Sequence, residues 1–497
     1  MVGVVLLLGT IYFSTAVTTW PKAGGGLYNA NLQAMRGDYT GGFVEVYRTD
    51  CLPLSISLSS ASTYTQFSVD DIDGDGNNEV VAHAIDHVCA FDGSTGTPLW
   101  YYPIAAGHDA TPLLEDVDSD GQMEVVIITR TRVAPGPVKV EAVNGADGSL
   151  EWSYTMSLNS LSTSSPTAYD IDGDGDKDVL AGCDDDTLYV LDGSTGTPLW
   201  KFGAGGDVKG TPAIGNGYIA LADFSGRVYM LTFAGTLIWT YNAGSPIYAS
   251  PVMGQLDGTG MTDVIVATLG SGAVIALRGD DGSLLWSYSM PTGVRTTPIL
   301  ADVDGDSELE VVVGDTAGNI RVLNAHTGVE EEAFATSPLT GINPYWAMIS
   351  ADIYPTYPGL EILITTDVAF RSAPNRTFIY SYDGVQLFFA NNTGDASAIA
   401  DVDNDGCMEF ITENEGTYLP RGTRYSVYDS PTNADSSCVL LGRDTLSLST
   451  GENALGSGGD EILRVYDQSG RIVPPFSYRH GVYLIIDRKG ARKVLRW

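Results

Sequence analysis

The chain has 497 residues, enough for a large core and more than one ordinary domain. Its 62 Asp and Glu against 26 Lys and Arg leave a net charge of -36, which argues against nucleic acid, because phosphate recognition needs Lys and Arg. With 43% hydrophobic residues, 58 Gly and 26 Tyr, the composition also argues against acidic disorder and fits a turn-rich all-β protein.

Val2 to Phe13 is almost wholly apolar and runs into Ser14-Thr15-Ala16-Val17. Residues 1–17 read as the hydrophobic core and cleavage region of a secretory signal, and the run is short for a membrane span. The remainder is expected to be exported, with no other candidate span. The five cysteines, Cys51, Cys89, Cys183, Cys407 and Cys438, contain no CxxC pair and hence no zinc or iron–sulfur spacing. Cys51 and Cys438 lie near the two ends of a repeat array. They are a candidate disulfide if the array closes on itself, or else simply buried.

Acidic loops recur through residues 18–441. Full copies begin at Asp71, Asp116, Asp170, Asp302 and Asp401, and weakened copies at Gln255 and Asp352. A unit without the loop, Thr211 to Ala220, fills the long gap between 170 and 255. The spacing of about 40 to 55 residues is a propeller-blade period. Each unit reads as four strands. A short first strand is often led by Thr/Ser-Pro, as at Thr111-Pro112, Ser165-Pro166, Thr211-Pro212, Ser250-Pro251 and Thr297-Pro298. Proline at a strand's start costs the ladder little. The acidic loop and a second apolar strand follow. A third strand ends in a glycine-bearing turn, such as Asp192-Gly193-Ser194-Thr195-Gly196, and a fourth carries Trp: Trp100, Trp152, Trp200, Trp239 and Trp286. The prediction is an all-β, eight-bladed β-propeller with four-stranded blades. Trp at one place in successive units points to packing between blades rather than to a sugar-stacking surface. Units six to eight lack it and are expected to pack differently. Residues 42–48 are the expected closing strand of the last blade, with Cys438 to Leu441 as the rival.

The loops place carboxylates at positions 1, 3, 5 and 9 around glycine, a pattern suited to a hard cation that takes six to eight oxygen ligands. Position 12 is Ala82, Ile127, Ala181, Val313 or Thr412, which excludes an EF-hand with its bidentate Glu. The pattern Asp-x-Asp-x-Asp-Gly-x-x-Glu/Asp before a strand resembles the calcium loops of FG-GAP repeats, as in integrin α-chain propellers. The resemblance implies calcium held by side chains at 1, 3, 5 and 9 and by the carbonyl at 7. On this sequence it implies five sites. They are Asp71, Asp73, Asp75 and Glu79; Asp116, Asp118, Asp120 and Glu124; Asp170, Asp172, Asp174 and Asp178; Asp302, Asp304, Asp306 and Glu310; and Asp401, Asp403, Asp405 and Glu409. Ser307 replaces Gly at position 6 of the fourth site, where strain is expected. Gln255, Asp257, Thr259 and Asp263 keep only two carboxylates, for weak binding or none, and no metal is expected at Asp352 and Glu361. Interchangeable copies point to a structural role.

Trp20-Pro21-Lys22-Ala23-Gly24-Gly25-Gly26, and the turn-plus-Trp grammar of Tyr189 to Trp200, resemble PQQ-type propellers. The adjacent Cys pair and long insertions of their quinone-dependent dehydrogenases are missing, so no quinone cofactor is expected. From about Leu441 the composition shifts. A Gly/Ser/Asn-rich linker spans 442–461, and residues 462–497 hold 8 of the 26 Lys and Arg. Val465-Tyr466-Asp467-x-x-Gly470-Arg471, Gly481-Val482-Tyr483 and Lys493-Val494-Leu495-Arg496 resemble the C-terminal sorting domain of the type IX secretion system, a small β-sandwich. That resemblance implies export across the outer membrane.

No Gly-x-Ser-x-Gly, phosphate loop or HExxH occurs. His83 and His87, read on one strand, fall roughly 13 Å apart at about 3.3 Å per residue, too far to share an ion. Asn375-Arg376-Thr377 and Asn391-Asn392-Thr393 match a glycosylation acceptor pattern. The favoured reading is a non-enzymatic surface or extracellular module for adhesion, assembly or glycan binding, with protein or glycan partners. The alternative is a secreted polysaccharide-active enzyme using the propeller face.

Overall fold

The Val/Ile/Leu/Ala runs that follow each acidic loop form the middle strands of antiparallel sheets, buried on both sides. Glu79–His83, Asp178–Cys183, Asp263–Ala267 and Glu310–Gly314 are buried along their whole length. A strand covered on both faces has no use for polar alternation, which explains the unbroken apolar runs. This computed structural model describes residues 32–36, 44–50, 66–83, 87–104, 110–130, 136–258, 260–336, 342–343, 348–353, 359–368, 376–391, 393–400, 402, 409–414, 424–429, 462–467, 482–487 and 492–496.

The chain divides into two units, Met1–Gly442 and Arg443–Trp497. In the first, four strands pair in chain order to make each blade of a β-propeller. Blade three, for example, runs Thr167–Tyr169, Asp178–Cys183, Thr187–Leu191 and Pro198–Gly203. Blades one, two, four, five and six begin at Gln66, Leu113, Ala213, Val252 and Ile299. A closing blade combines Thr393–Ala400, Glu409–Asn414 and Arg424–Asp429 with Val44–Asp50 from the far end of the chain. Val44–Asp50 pairs antiparallel with Arg424–Asp429, as the closing role assigned to 42–48 requires. The rival strand at Cys438 to Leu441 lies outside the described residues, as do the segment 1–17 and the linker 442–461.

The expectation of eight four-stranded blades is corrected, for the described residues form seven. The unit around Asp352 is a six-stranded sheet instead. Met348–Asp352, Glu361–Val368, Arg376–Ser381 and Gln386–Asn391 are joined by Leu32–Arg36, which pairs in parallel with Met348–Asp352, and by Ile342–Asn343, which pairs with Glu361–Val368. A strand edge offers unpaired N–H and C=O groups, and here two segments without repeat grammar take them up. Repeat counting could not see those segments. In the second unit, Ile462–Asp467, Val482–Asp487 and Arg492–Arg496 form one three-stranded antiparallel sheet. The second sheet that a sandwich requires is not among the described residues.

Two sets of contacts join the blades. Toward the outside, Trp100, Trp152, Trp239 and Trp286 donate their indole N–H to the carbonyls of Gly145, Gly193, Gly279 and Ala325 in the following blade, at 2.6–2.8 Å. Each ring also covers the positive-φ glycine of that blade's third-to-fourth-strand turn: Gly148, Gly196, Gly282 and Gly328. Trp200 covers Gly235 in the same way. The packing role read from the sequence therefore holds. After blade six, however, Phe334 takes the same seat over Gly384, so an aromatic ring persists there without an indole N–H. The two glycines of one turn do different jobs. Gly196 has φ +67°, whereas Gly193 is required by close approach, since a Cβ there would lie 2.0 Å from the Lys177 carbonyl oxygen.

Toward the inner ends of the blades runs a belt of hydroxyls. The backbone N–H of Thr111 donates to Ser165 Oγ (2.9 Å), Ser165 N–H to Thr211 Oγ1 (3.2 Å), Thr211 N–H to Ser250 Oγ (2.9 Å) and Ser250 N–H to Thr297 Oγ1 (3.2 Å). These are the Thr/Ser residues ahead of the recurring prolines. The hydroxyls of Ser165, Thr211, Ser250 and Thr297 satisfy buried N–H groups of the preceding blade, as main-chain donors removed from water require.

Two outcomes follow for unfolding melts. Gly196→Ala, at positive φ and with its Cβ 2.4 Å from the Trp152 ring, should cost about 2–4 kcal/mol, while Gly203→Ala, with no atom within 4 Å, should stay within about 0.5 kcal/mol of the parent. Thr211→Val, which leaves the buried Ser165 N–H without its acceptor, should cost about 1–3 kcal/mol, measured by denaturant titration.

Candidate metal loops

Each of the four full loops among the described residues folds around its own carboxylates. The position 1 aspartate accepts from the N–H groups at positions 4 and 6: Gly74 and Gly76 on Asp71, and Gly305 and Ser307 on Asp302, at 2.8–3.1 Å. Position 3 accepts from position 5, as Asp75 on Asp73 and Asp120 on Asp118. Position 5 accepts from position 7, as Asn77 on Asp75 and Gln122 on Asp120. Winding this tightly needs positive φ at positions 4 and 6. Gly173 and Gly175 have φ 83° and 108°, but Ser119 (59°) and Ser307 (80°) adopt the same region with a side chain. The strain expected at Ser307 is therefore present, and Ser119 carries a second instance.

The position 9 carboxylate turns inward. Glu79, Glu124, Asp178 and Glu310 are each 1–2% exposed and accept the N–H of position 2, from Ile72, Val117, Ile171 and Val303, at 2.8–3.0 Å. Burial, with the neighbouring aspartates adding repulsion, pushes Glu79, Glu124 and Glu310 up to about 8 and Asp178 up to about 7.

The loops bring most, not all, of the sequence-predicted ligands together. Carboxylate oxygens of Asp71, Asp73 and Glu79 lie within 4.8 Å of one another, as do those of Asp116, Asp118 and Glu124, of Asp170, Asp172 and Asp178, and of Asp302, Asp304 and Asp306. Asp75, Asp120, Asp174 and Glu310 are outside these groups. Asp75 and Asp120 instead hold both the backbone and side-chain amides of Asn77 and Gln122. Asp401, Asp403, Asp405 and Glu409 lie outside the residues whose side chains are described. Three converging carboxylate oxygens, and the buried Asp116 Oδ1 with no hydrogen-bond partner, suit a hard divalent cation completed by carbonyl and water oxygens.

The weakened loops keep the corresponding bond, from position 9 in one and position 10 in the other. Leu256 N–H donates to Asp263 (2.9 Å) and Ile353 N–H to Glu361 (2.6 Å). Neighbouring loops are also linked. Lys177 N–H donates to the Val117 carbonyl (2.9 Å), Ser119 Oγ to the Gly175 carbonyl (2.8 Å), and Lys177 Nζ pairs with Glu115. These links escaped sequence reasoning. Their only signal was a Lys within the acidic run.

The histidine spacing is corrected. His83 ends one strand and His87 begins the next, antiparallel strand, with Val88 opposite His83, so the two histidines lie on paired strands rather than along one. Both are fully buried. His83 bonds to the Ala110 carbonyl (2.9 Å) and is held down at about 4 by burial, and His87 stacks on Tyr101 with centroids 5.0 Å apart. Among the described residues, neither joins a group of three metal-ligating side chains. Cys89 is disulfide-bonded and Cys183 is free and buried. Cys51 and Cys438 lie outside the described residues. No helix among the described residues is long and apolar enough to cross a membrane.

Comparison with known proteins agrees with the repeat reading. Residues 163–331 match the family described as outer membrane protein assembly factor BamB, and residues 116–181 match the FG-GAP-like repeat. The chain thus carries repeats of both kinds in a propeller. No curated protein matches it. Among solved structures, quinohemoprotein alcohol dehydrogenase from Comamonas testosteroni aligns at TM-score 0.57 and 11% identity, over 84% of this chain and 81% of that one. The computationally designed Ika8 protein aligns at 0.50 and 16%, over 75% and 98%. BamB from Moraxella catarrhalis aligns at 0.44 and 20%, over 69% and 98%. At 11% and 16% identity, the likeness to the first two is one of fold.

The buried position 9 carboxylates set a pH dependence for the chelated protein. Their folded values lie above the ordinary 4.5 for Glu and 3.8 for Asp, so folding favours the protonated form. Their contribution is complete below about pH 4 and is lost as pH rises toward 8. In EDTA the melting temperature should fall across that window, and Glu124→Gln, with nothing to titrate there, should fall less. A decline as steep in the variant as in the parent would remove Glu124 from the account.

Proposed function

We propose that this protein is a secreted or cell-surface propeller, stabilised by calcium, that acts as a non-enzymatic binding, adhesion or assembly module. The observation that carries the reading is the fourfold recurrence of three carboxylate oxygens within 4.8 Å at the same corner of a blade. Asp71, Asp73 and Glu79 would hold one ion, Asp116, Asp118 and Glu124 a second, Asp170, Asp172 and Asp178 a third, and Asp302, Asp304 and Asp306 a fourth. The 401–409 loop adds a fifth by sequence alone. A bound calcium ion supplies two positive charges to a loop that otherwise concentrates negative charge. Magnesium fits less well, because it prefers to keep its waters. The chain's own residues do the rest. Position 9 anchors the loop to its strand through the position 2 N–H, and positions 1, 3 and 5 fix the winding.

Repetition favours a scaffold over a catalyst, since four interchangeable corners do not make one reaction centre. The BamB description of residues 163–331 supports assembly or protein binding as the kind of work done. The signal-like start and the sorting-domain resemblance of 462–497 support an extracellular or outer-membrane address. Protein or glycan partners follow from that address.

Each ion that binds only the folded state stabilises it by about 3–4 kcal/mol at 100–1,000 times its dissociation constant. Excess EDTA should therefore lower the melting temperature sharply, and calcium should restore it. Asp170→Asn with Asp172→Asn should remove one ion from the stoichiometry measured by calorimetric titration. An unchanged melting curve in EDTA defeats the calcium reading. Fragments released from a polysaccharide by the purified protein would defeat the non-enzymatic one.

A further inference from the structure

The loop of blade five departs from the others in a patterned way. By sequence it has lost the carboxylates at positions 1 and 5, where Gln255 and Thr259 stand. Two residues from the adjoining third-to-fourth-strand turn act on the loop instead. In the full loops the position 7 N–H donates to the position 5 carboxylate: Asn77 to Asp75, Gln122 to Asp120, Asp176 to Asp174 and Glu308 to Asp306, at 2.7–3.0 Å. In blade five that N–H belongs to Met261, and it donates to Asp280 Oδ1 at 2.8 Å. A Cβ on Gly260 would lie 2.2 Å from Asp280 Oδ2, so the carboxylate sits directly against the loop. Arg278 Nη2 lies 3.3 Å from Oδ2 of Asp257, the position 3 carboxylate.

Arg278 stands where other blades keep an oxygen. The carbonyl at this turn position accepts the turn glycine's N–H in six blades, from Asp92, Asn144, Asp192, Thr232, Arg278 and Asn324, at 2.8–2.9 Å. In the other five, the side-chain oxygen also accepts an N–H of its own turn. A guanidinium has no acceptor, so blade five gives up that cap. The cap is lost in the same blade whose loop lacks two carboxylates. A positive charge reaches position 3 there, and a carboxylate reaches the N–H that position 5 would have served.

We propose that the 255–263 loop is a cation-independent version of the acidic loop, in which the Arg278 guanidinium neutralises Asp257 in place of a divalent ion and Asp280 replaces the missing position 5 carboxylate. This goes beyond the calcium reading. It divides the propeller into corners that release their ion under chelation and one corner locked by the chain itself.

Hydrogen exchange of the full chain, read on peptides covering 255–263, tests it in calcium and in excess EDTA. The parent peptide should change by less than about twofold on chelation, and Arg278→Met should exchange at least about tenfold faster in both buffers. Asp257→Asn combined with Arg278→Met removes both charges and should return to within about threefold of the parent, which also separates lost neutralisation from general misfolding. The proposal is overturned if chelation exposes the parent's 255–263 peptide, if Arg278→Met matches the parent, or if the double variant exchanges as fast as Arg278→Met. Indifference of the 71–79, 116–124, 170–178 and 302–310 peptides to EDTA would overturn the calcium reading alone, because the Arg278 comparison holds in either buffer.

Discussion

The structure depends on one buried contact, repeated. A carboxylate at the first residue of six of the second strands reaches back and accepts the N–H of the second residue of the preceding loop. Glu79, Glu124, Asp178, Asp263, Glu310 and Glu361 all do so, at 2.6–3.0 Å. The bond outlives the full ligand set, for Asp263 and Glu361 keep it in loops that have lost other carboxylates. Its structural duty is thus separable from cation binding. It satisfies a buried N–H and fixes where the loop stops and the strand starts. The cost is a charge nearly removed from water beside other negative charges, which a cation or a neighbouring guanidinium can offset.

The rest of the propeller is built outward and inward from that corner. On the outer side, the fourth-strand aromatic of one blade closes over the turn glycine of the next, and four of these rings also donate an indole N–H. On the inner side, the hydroxyls of Ser165, Thr211, Ser250 and Thr297, each before a proline, cap an N–H of the preceding blade. From blade two to blade six, each blade is tied to the next through both sets of contacts. The loops then add links of their own, such as Lys177 N–H to the Val117 carbonyl. These links couple one corner to the next through hydrogen bonds between blades.

The repeat grammar was legible because each element carries its own local cause. Strands buried on both faces need unbroken apolar runs, and turns with positive φ need glycine. The Trp positions announced inter-blade packing, though not that Phe334 would fill the seat over Gly384. The Thr/Ser before proline was visible as a recurrence, but its purpose was not, because a hydroxyl's acceptor duty depends on which blade lies beside it. His83 and His87 show the converse. An extended-strand distance failed because the two residues lie on successive antiparallel strands.

The sequence by itself determined the fold class, the blade period, the acidic corners and the aromatic between blades, since all four follow from local chemistry repeated at a fixed spacing. Only the tertiary structure decided the number of four-stranded blades, because Leu32–Arg36 and Ile342–Asn343 join another sheet through backbone hydrogen bonds that no side-chain pattern encodes. It also decided which carboxylates converge. Asp75 and Asp120 share the ligand spacing of Asp71 and Asp116, yet they turn to their own loop amides. Arg278 gained its meaning in the same way. Fifteen residues beyond Asp263 in the chain, it reads as an ordinary surface charge until the hairpin carries it back to Asp257.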